Sequence, residues 1–129
     1  MPKKIAFFDS GIGGLTVLHQ AMKQMPSEQF IYFADSDNAP YGTKTSTEIT
    51  ALVEDAVTFL AQQNIKALVL ACNTATAVAA KALRARYPFP VIGMEPAVKP
   101  ALKQTSTKKV LVCATEKTLK ETKLSHLIQ

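Results

Sequence analysis

The stretch Ala67-Leu68-Val69-Leu70-Ala71-Cys72-Asn73-Thr74-Ala75-Thr76 runs from an apolar segment through a polar turn into alanine-rich sequence. A short apolar run without polar interruption is the pattern of a strand buried on both faces, and small residues after the turn suit a helix packed closely on a sheet. A strand-to-helix junction also presents backbone N–H groups that have no partner within the helix, so an anion can bind there. Cys72 stands at that junction, where a reactive thiol is well placed.

The same pattern recurs on both sides of it. Ile5 to Phe8 leads into the turn Asp9-Ser10-Gly11-Ile12-Gly13-Gly14. Apolar runs predict strands near residues 3–8, 29–34, 66–71, 89–92 and 108–113, with helical patterns between them. The first helix follows Gly14, with Leu15, Leu18, Met22 and Met25 on its apolar face. The second begins at the capping box Thr45-Ser46-Thr47-Glu48 and carries Ile49, Leu52, Val53, Ala56, Val57 and Leu60 at helical spacing. The third starts at Asn73 or Thr74 and ends before Tyr87-Pro88. Pro96 and Thr115 are suited to open two short helices. Alternating strands and helices imply an α/β fold, a parallel sheet with right-handed crossovers and helices on both faces. Ligands bind such sheets at the carboxyl ends of the strands. The turns at Asp9-Ser10, Asp35 to Gly42, Cys72-Asn73-Thr74, Gly93-Met94-Glu95 and Thr115 should therefore share one rim.

The chain has 129 residues, 47% of them hydrophobic and 19% charged, which fits one ordinary domain with a real core and argues against disorder. Its apolar runs fall short of the ~20 residues needed to cross a bilayer. Only four apolar residues separate Lys4 from Asp9, too few for a secretory signal. The two cysteines are far apart and show no metal-type spacing, so free thiols in a cytoplasmic protein are expected. Residues 1–95 carry eight basic and eight acidic side chains, so the net charge of +5 lies in residues 96–129, where seven Lys face Glu116 and Glu121. That tail has neither Arg nor aromatic residues, which favours a solvated face, or a surface that meets other protein, over a nucleic-acid patch.

Chemically, Cys72 suits either a nucleophile or a proton-abstracting base, and its context alone does not choose between them. Asn73 and Thr74 offer hydrogen bonds to a ligand carboxylate beside the sulfur. Asp9 and Ser10 suit holding an ammonium group, assisting proton transfer, or capping their turn. Glycines 11, 13 and 14 permit close backbone approach and an anion nest. The run lacks the Gly-Lys-Ser/Thr ending of a phosphate loop and the spacing of a dinucleotide fingerprint. Pro40-Tyr41-Gly42 reads equally as a surface loop or as a flap over a small ligand. Cys113, inside Val110-Leu111-Val112-Cys113-Ala114, is expected to be packed in the core. His19 and His126 have no partners at metal spacing, and a cysteine hydrolase would need such a base near Cys72.

Taken in order, Asp9-Ser10-Gly11-Ile12-Gly13-Gly14-Leu15-Thr16-Val17-Leu18, Ala34-Asp35-Ser36-Asp37-Asn38-Ala39-Pro40-Tyr41-Gly42, Cys72-Asn73-Thr74-Ala75, Gly93-Met94-Glu95-Pro96-Ala97 and Ala114-Thr115 with Thr118 resemble the glutamate racemases of the cofactor-independent aspartate/glutamate racemase superfamily. The resemblance implies interconversion of L- and D-glutamate by two opposed thiols, without cofactor or metal, supplying D-glutamate to peptidoglycan. It implies that Cys72 takes the α-proton of D-glutamate with help from Asp9. Asp9, Ser10, Pro40, Tyr41, Gly42, Asn73 and Thr74 would hold the substrate, with Thr115 and Thr118 as further contacts. Glutamate is then the expected small-molecule partner, with no nucleic acid or membrane, and a homodimer is compatible with it.

Members of the family carry the opposing cysteine in a later Gly-Cys-Thr-His segment that this sequence lacks. The resemblance therefore implies a racemase truncated after its first half. Residues 1–95 would form the first α/β domain with one half-site, and residues 96–129 the opening of a second domain. Such a chain is expected to be inactive or weakly active alone. A non-catalytic binding or interaction fragment, or an aspartate racemase relative, is the alternative.

Overall fold

The computed structural model describes residues 1–120. Its elements run β1 (Lys4–Asp9), α1 (Leu15–Gln24), β2 (Phe30–Ala34), two single 3₁₀ turns (Ser36–Asn38 and Tyr41–Thr43), α2 (Ser46–Ala61), β3 (Ile65–Leu70), α3 (Asn73–Arg86), β4 (Val91–Gly93), α4 (Val98–Gln104) and α5 (Glu116–Lys120). The four strands form one wholly parallel sheet in the order β2-β1-β3-β4.

Strand alternation divides the apolar residues between two faces. Ala6, Phe8, Leu68 and Leu70 pack under α2 and α3 against Ile49, Val53, Val57, Leu60, Ala75, Ala79 and Leu83. Ile5, Phe7 and Val69 point the other way, against Val17, Leu18 and Ala21 of α1. The sheet therefore has helices on both faces, as the sequence pattern predicts.

The capping box opens α2. The Thr45 N–H donates to Glu48 Oε2 at 2.7 Å, and the Glu48 N–H donates to Thr45 Oγ1 at 3.2 Å. Thr45→Ala leaves a first-turn N–H without its side-chain acceptor. It is expected to lower stability by about 1 kcal/mol, read as a lower urea midpoint at unchanged slope.

Two expectations are corrected. The face of α1 on the sheet is Val17, Leu18 and Ala21, while Leu15, Met22 and Met25 are exposed. Both stripes have helical spacing and share Leu18, and the sheet takes the one whose smaller side chains allow closer approach. The strand expected over residues 108–113 is absent from the described residues. A strand is held by its hydrogen-bonded neighbour, and the four strands present pair only with one another. Leu111 is consequently 89% exposed, and Cys113 is exposed rather than packed in the core.

Candidate active site

In a sheet ordered β2-β1-β3-β4 the chain leaves β1 toward one edge and β3 toward the other, so a crevice opens between the carboxyl ends of these two central strands. A cavity of about 470 Å³ lies there. Asp9, Ser10, Gly13, Thr16 and Val17 line it from the β1–α1 side, and Ala71 to Thr74 from the β3–α3 side. Met94 and, from the start of α5, Ala114, Thr115 and Thr118 complete the wall.

Cys72 is the N-cap residue of α3. Its backbone is extended there, so its side chain turns back over the first turn, and Sγ accepts the Ala75 N–H at 3.4 Å. Helix geometry leaves the Asn73 and Thr74 N–H groups without carbonyl partners at the cavity wall. The thiol also donates to Ser10 Oγ at 3.7 Å, which links the two central turns.

Asp9 ends β1 and is 7% exposed. Its Oδ2 accepts the Gly14 N–H at 2.8 Å and the Tyr32 hydroxyl at 3.4 Å. Among the described residues the wall contains no Lys or Arg. An anionic ligand would be held by the first-turn N–H groups of α3 and by hydroxyls, with Asp9 available to an ammonium group.

Three threonines tie α5 to α3. Thr74 Oγ1 lies 2.8 Å from Thr115 Oγ1 and 3.5 Å from Thr118 Oγ1, and the last two are 3.1 Å apart. This is how Thr115 reaches the rim although no strand precedes it. Thr76 anchors the end of β4 in a similar way, donating to the Leu70 carbonyl at 3.2 Å and accepting the Met94 N–H at 3.0 Å.

Asp9, Ser10, Cys72, Asn73, Thr74, Thr115 and Thr118 are thus brought together, whereas Pro40, Tyr41 and Gly42 are not among the lining residues. The Tyr41 ring is buried against Phe8, with ring centroids 6.2 Å apart, and its hydroxyl donates to Asp35 Oδ2 at 2.5 Å. Burial, and after it the bond to Asp35, pushes the Tyr41 phenol well above its usual range. Gly42 touches the site through Thr115, whose Cγ2 would stand 2.9 Å from a Cβ at that position.

The glycine turn also differs from expectation. No glycine has a positive φ, so the left-handed step of an anion nest does not form. Gly14 is the tight position, since a Cβ there would lie 2.8 Å from Ala71 Cβ and 2.9 Å from the Tyr32 hydroxyl, while Gly11 has open space. Tyr32 carries no sequence signal beyond its place in an aromatic strand. Its contact with Asp9 depends on the register of β1 with β2, which the sequence does not display.

His19 is exposed and His126 lies outside the described residues. Among the described residues no three His, Cys, Asp or Glu side chains group to hold a metal, and no helix is long and apolar enough to cross a membrane.

Residues 15–129 match the Asp/Glu/hydantoin racemase family. The glutamate racemase of Halothermothrix orenii is 52% identical over 125 residues, covering 97% of this chain and 49% of that protein. Glutamate racemase 2 of Bacillus subtilis is 53% identical over 128 residues, covering 98% and 48%. Among solved structures, Escherichia coli glutamate racemase in complex with L-glutamate and the activator UDP-MurNAc-ala superposes with a TM-score of 0.90 at 37% identity, over 98% of this chain and 48% of that one. The Aquifex pyrophilus enzyme superposes with a TM-score of 0.87 at 36% identity, over 97% and 50%. The chain spans about half the length of the curated relatives it matches.

Proposed function

The chain belongs to the Asp/Glu/hydantoin racemase family, and on that footing we propose that its cavity binds glutamate and exchanges the α-proton through the Cys72 thiol. This is one half of a cofactor-independent interconversion of L- and D-glutamate. The observation that carries it is the position of Cys72, at the N-terminus of α3 and across the crevice from Asp9 and Ser10. In the step proposed, Cys72 acts as the thiolate, its own proton having passed to solvent, and the Cα–H bond of D-glutamate breaks as a new S–H bond forms. The electron pair is delocalised onto the α-carboxylate, which the N–H groups of Asn73 and Thr74 would hold. Asp9 would pair with the substrate ammonium group and assist the proton transfer, and Ser10, Thr74, Thr115 and Thr118 would fix the remaining polar atoms. Gly42 would act from behind, through Thr115, in the segment of Pro40, Tyr41 and Gly42 that Tyr41 anchors on Phe8 and Asp35.

Inversion further needs an acid on the opposite face of Cα. Among the described residues the cavity holds one thiol, since Cys113 does not line it. Residues 1–95 would be the α/β domain carrying this half-site, and residues 96–129 the opening of a second. A reducing cytoplasm, the setting that keeps such thiols free, and supply of D-glutamate to peptidoglycan belong to the same proposal. So does a homodimer, supported by the exposed apolar side chains of Ile12, Leu15 and Met22.

Titration of the ¹⁵N-labelled chain with D-glutamate tests where the substrate binds. Amide shifts are expected at Gly13, Gly14, Asn73, Thr74 and Thr115, with smaller ones for D-aspartate. Shifts confined to other surfaces would count against the reading and leave a binding fragment of another kind.

A further inference from the structure

We infer that Tyr32 is a positioning residue for Asp9, its hydroxyl clamping the carboxylate and the turn of residues 11–14 to the edge strand β2. The inference rests on the reading of Asp9 and Cys72 as partners in proton transfer. Tyr32 pairs with Phe7 in the β1–β2 register, and its ring joins the smaller apolar cluster on the α1 side of the sheet. From there the hydroxyl reaches the far side of the glycine turn, donating to the Gly11 carbonyl at 2.8 Å and standing 3.4 Å from Asp9 Oδ2. The Gly14 N–H bonds the same oxygen at 2.8 Å. The single Tyr32 proton is shared in a three-centre bond between the Gly11 carbonyl and, as its longer limb, Oδ2. The Gly14 N–H and this longer limb together hold the rotation of the carboxylate and leave Oδ1 outside the clamp. The tight fit at Gly14 has the same origin, because the Tyr32 hydroxyl occupies part of the space a Cβ would need. Burial first, and the Asp9 carboxylate second, push the Tyr32 phenol up to about 12, so at neutral pH it remains protonated and able to donate.

The test needs no turnover. In a Cys113→Ser background, which removes the other thiol, the rate of Cys72 alkylation by iodoacetamide reports the charge that the sulfur faces. Asp9→Asn removes a negative charge from the cavity and is expected to speed alkylation. Tyr32→Phe strips a hydrogen bond from the carboxylate, leaves its charge fuller, and is expected to slow alkylation about threefold. If Tyr32 acts through Asp9, then Tyr32→Phe has no effect in the Asp9→Asn background.

An unchanged rate in Tyr32→Phe alongside a faster one in Asp9→Asn overturns the role of Tyr32 and leaves the proposed function standing. An unchanged rate in Asp9→Asn overturns the pairing of Asp9 with Cys72, and the inference with it. Equal slowing with and without Asp9 overturns action through Asp9. Should Tyr32→Phe fail to fold, ¹³C NMR of tyrosine Cζ gives the reciprocal measurement on the native side chain. The Tyr32 titration is expected to fall to lower pH in Asp9→Asn, and an unmoved titration overturns the coupling.

Discussion

Cys72→Ser is expected to reduce exchange of the D-glutamate α-proton by about a thousandfold or more while leaving the stability of the chain unchanged. The two halves of this expectation have separate physical sources. A serine hydroxyl is a far weaker acid than a thiol, so it does not supply the base that removes a proton from Cα. As an N-cap, however, serine is among the preferred residues, and its Oγ can take over the Ala75 N–H that Sγ accepts at 3.4 Å. The substitution therefore separates chemistry from architecture at one atom. Loss of exchange together with a lowered melting temperature would instead mark Cys72 as a packing residue.

Gly14→Ala is expected to damage both. Gly14 sits at φ −65° and ψ −12°, which any residue adopts, so the constraint is space rather than backbone strain. A Cβ would stand 2.8 Å from Ala71 Cβ, 2.9 Å from the Tyr32 hydroxyl and 3.0 Å from Asp9 Cβ. The first belongs to the residue that follows β3 and cannot swing aside. The start of α1 must move, and the Gly14 N–H bond to Asp9 Oδ2 moves with it. A stability loss of about 1–3 kcal/mol is expected by urea unfolding, with exchange falling further than stability. Gly11→Ala is the control. Nothing lies within 4 Å of a Cβ there, and its effect should stay within about 0.5 kcal/mol. Equal effects at the two positions would contradict the close packing of β1, β3 and α1 at the crevice.

Much of this architecture was legible because a parallel sheet writes its strands as uninterrupted apolar runs. Residues 5–8 and 67–70 are read correctly for that reason, and the capping box at Thr45 is a local signal that needs no tertiary context. Cys72, Asp9 and Ser10 follow from the rule that polar turns after parallel strands share a rim.

What failed depended on neighbours. The run Val110-Leu111-Val112 has the composition of a strand, but a strand exists only where it is paired, and this run is hydrogen-bonded to none of the four strands. On α1 two stripes at helical spacing compete, and side-chain size against the sheet decides between them. Tyr41 carries a polar tip that reads as a ligand contact until Phe8 and Asp35 are seen to enclose it. Tyr32 is invisible for the opposite reason, since strand register alone brings its hydroxyl to Asp9.

The most direct measurement is proton NMR of D-glutamate incubated with the chain in D₂O, beside the Cys72→Ser variant and with the product resolved by chirality. The expected result is loss of the α-proton signal that depends on Cys72, with D-glutamate exchanging faster than L-glutamate. A folded chain that binds D-glutamate in the cavity without exchanging its α-proton, or that exchanges it equally well with serine at position 72, would contradict the assignment of Cys72 as the base.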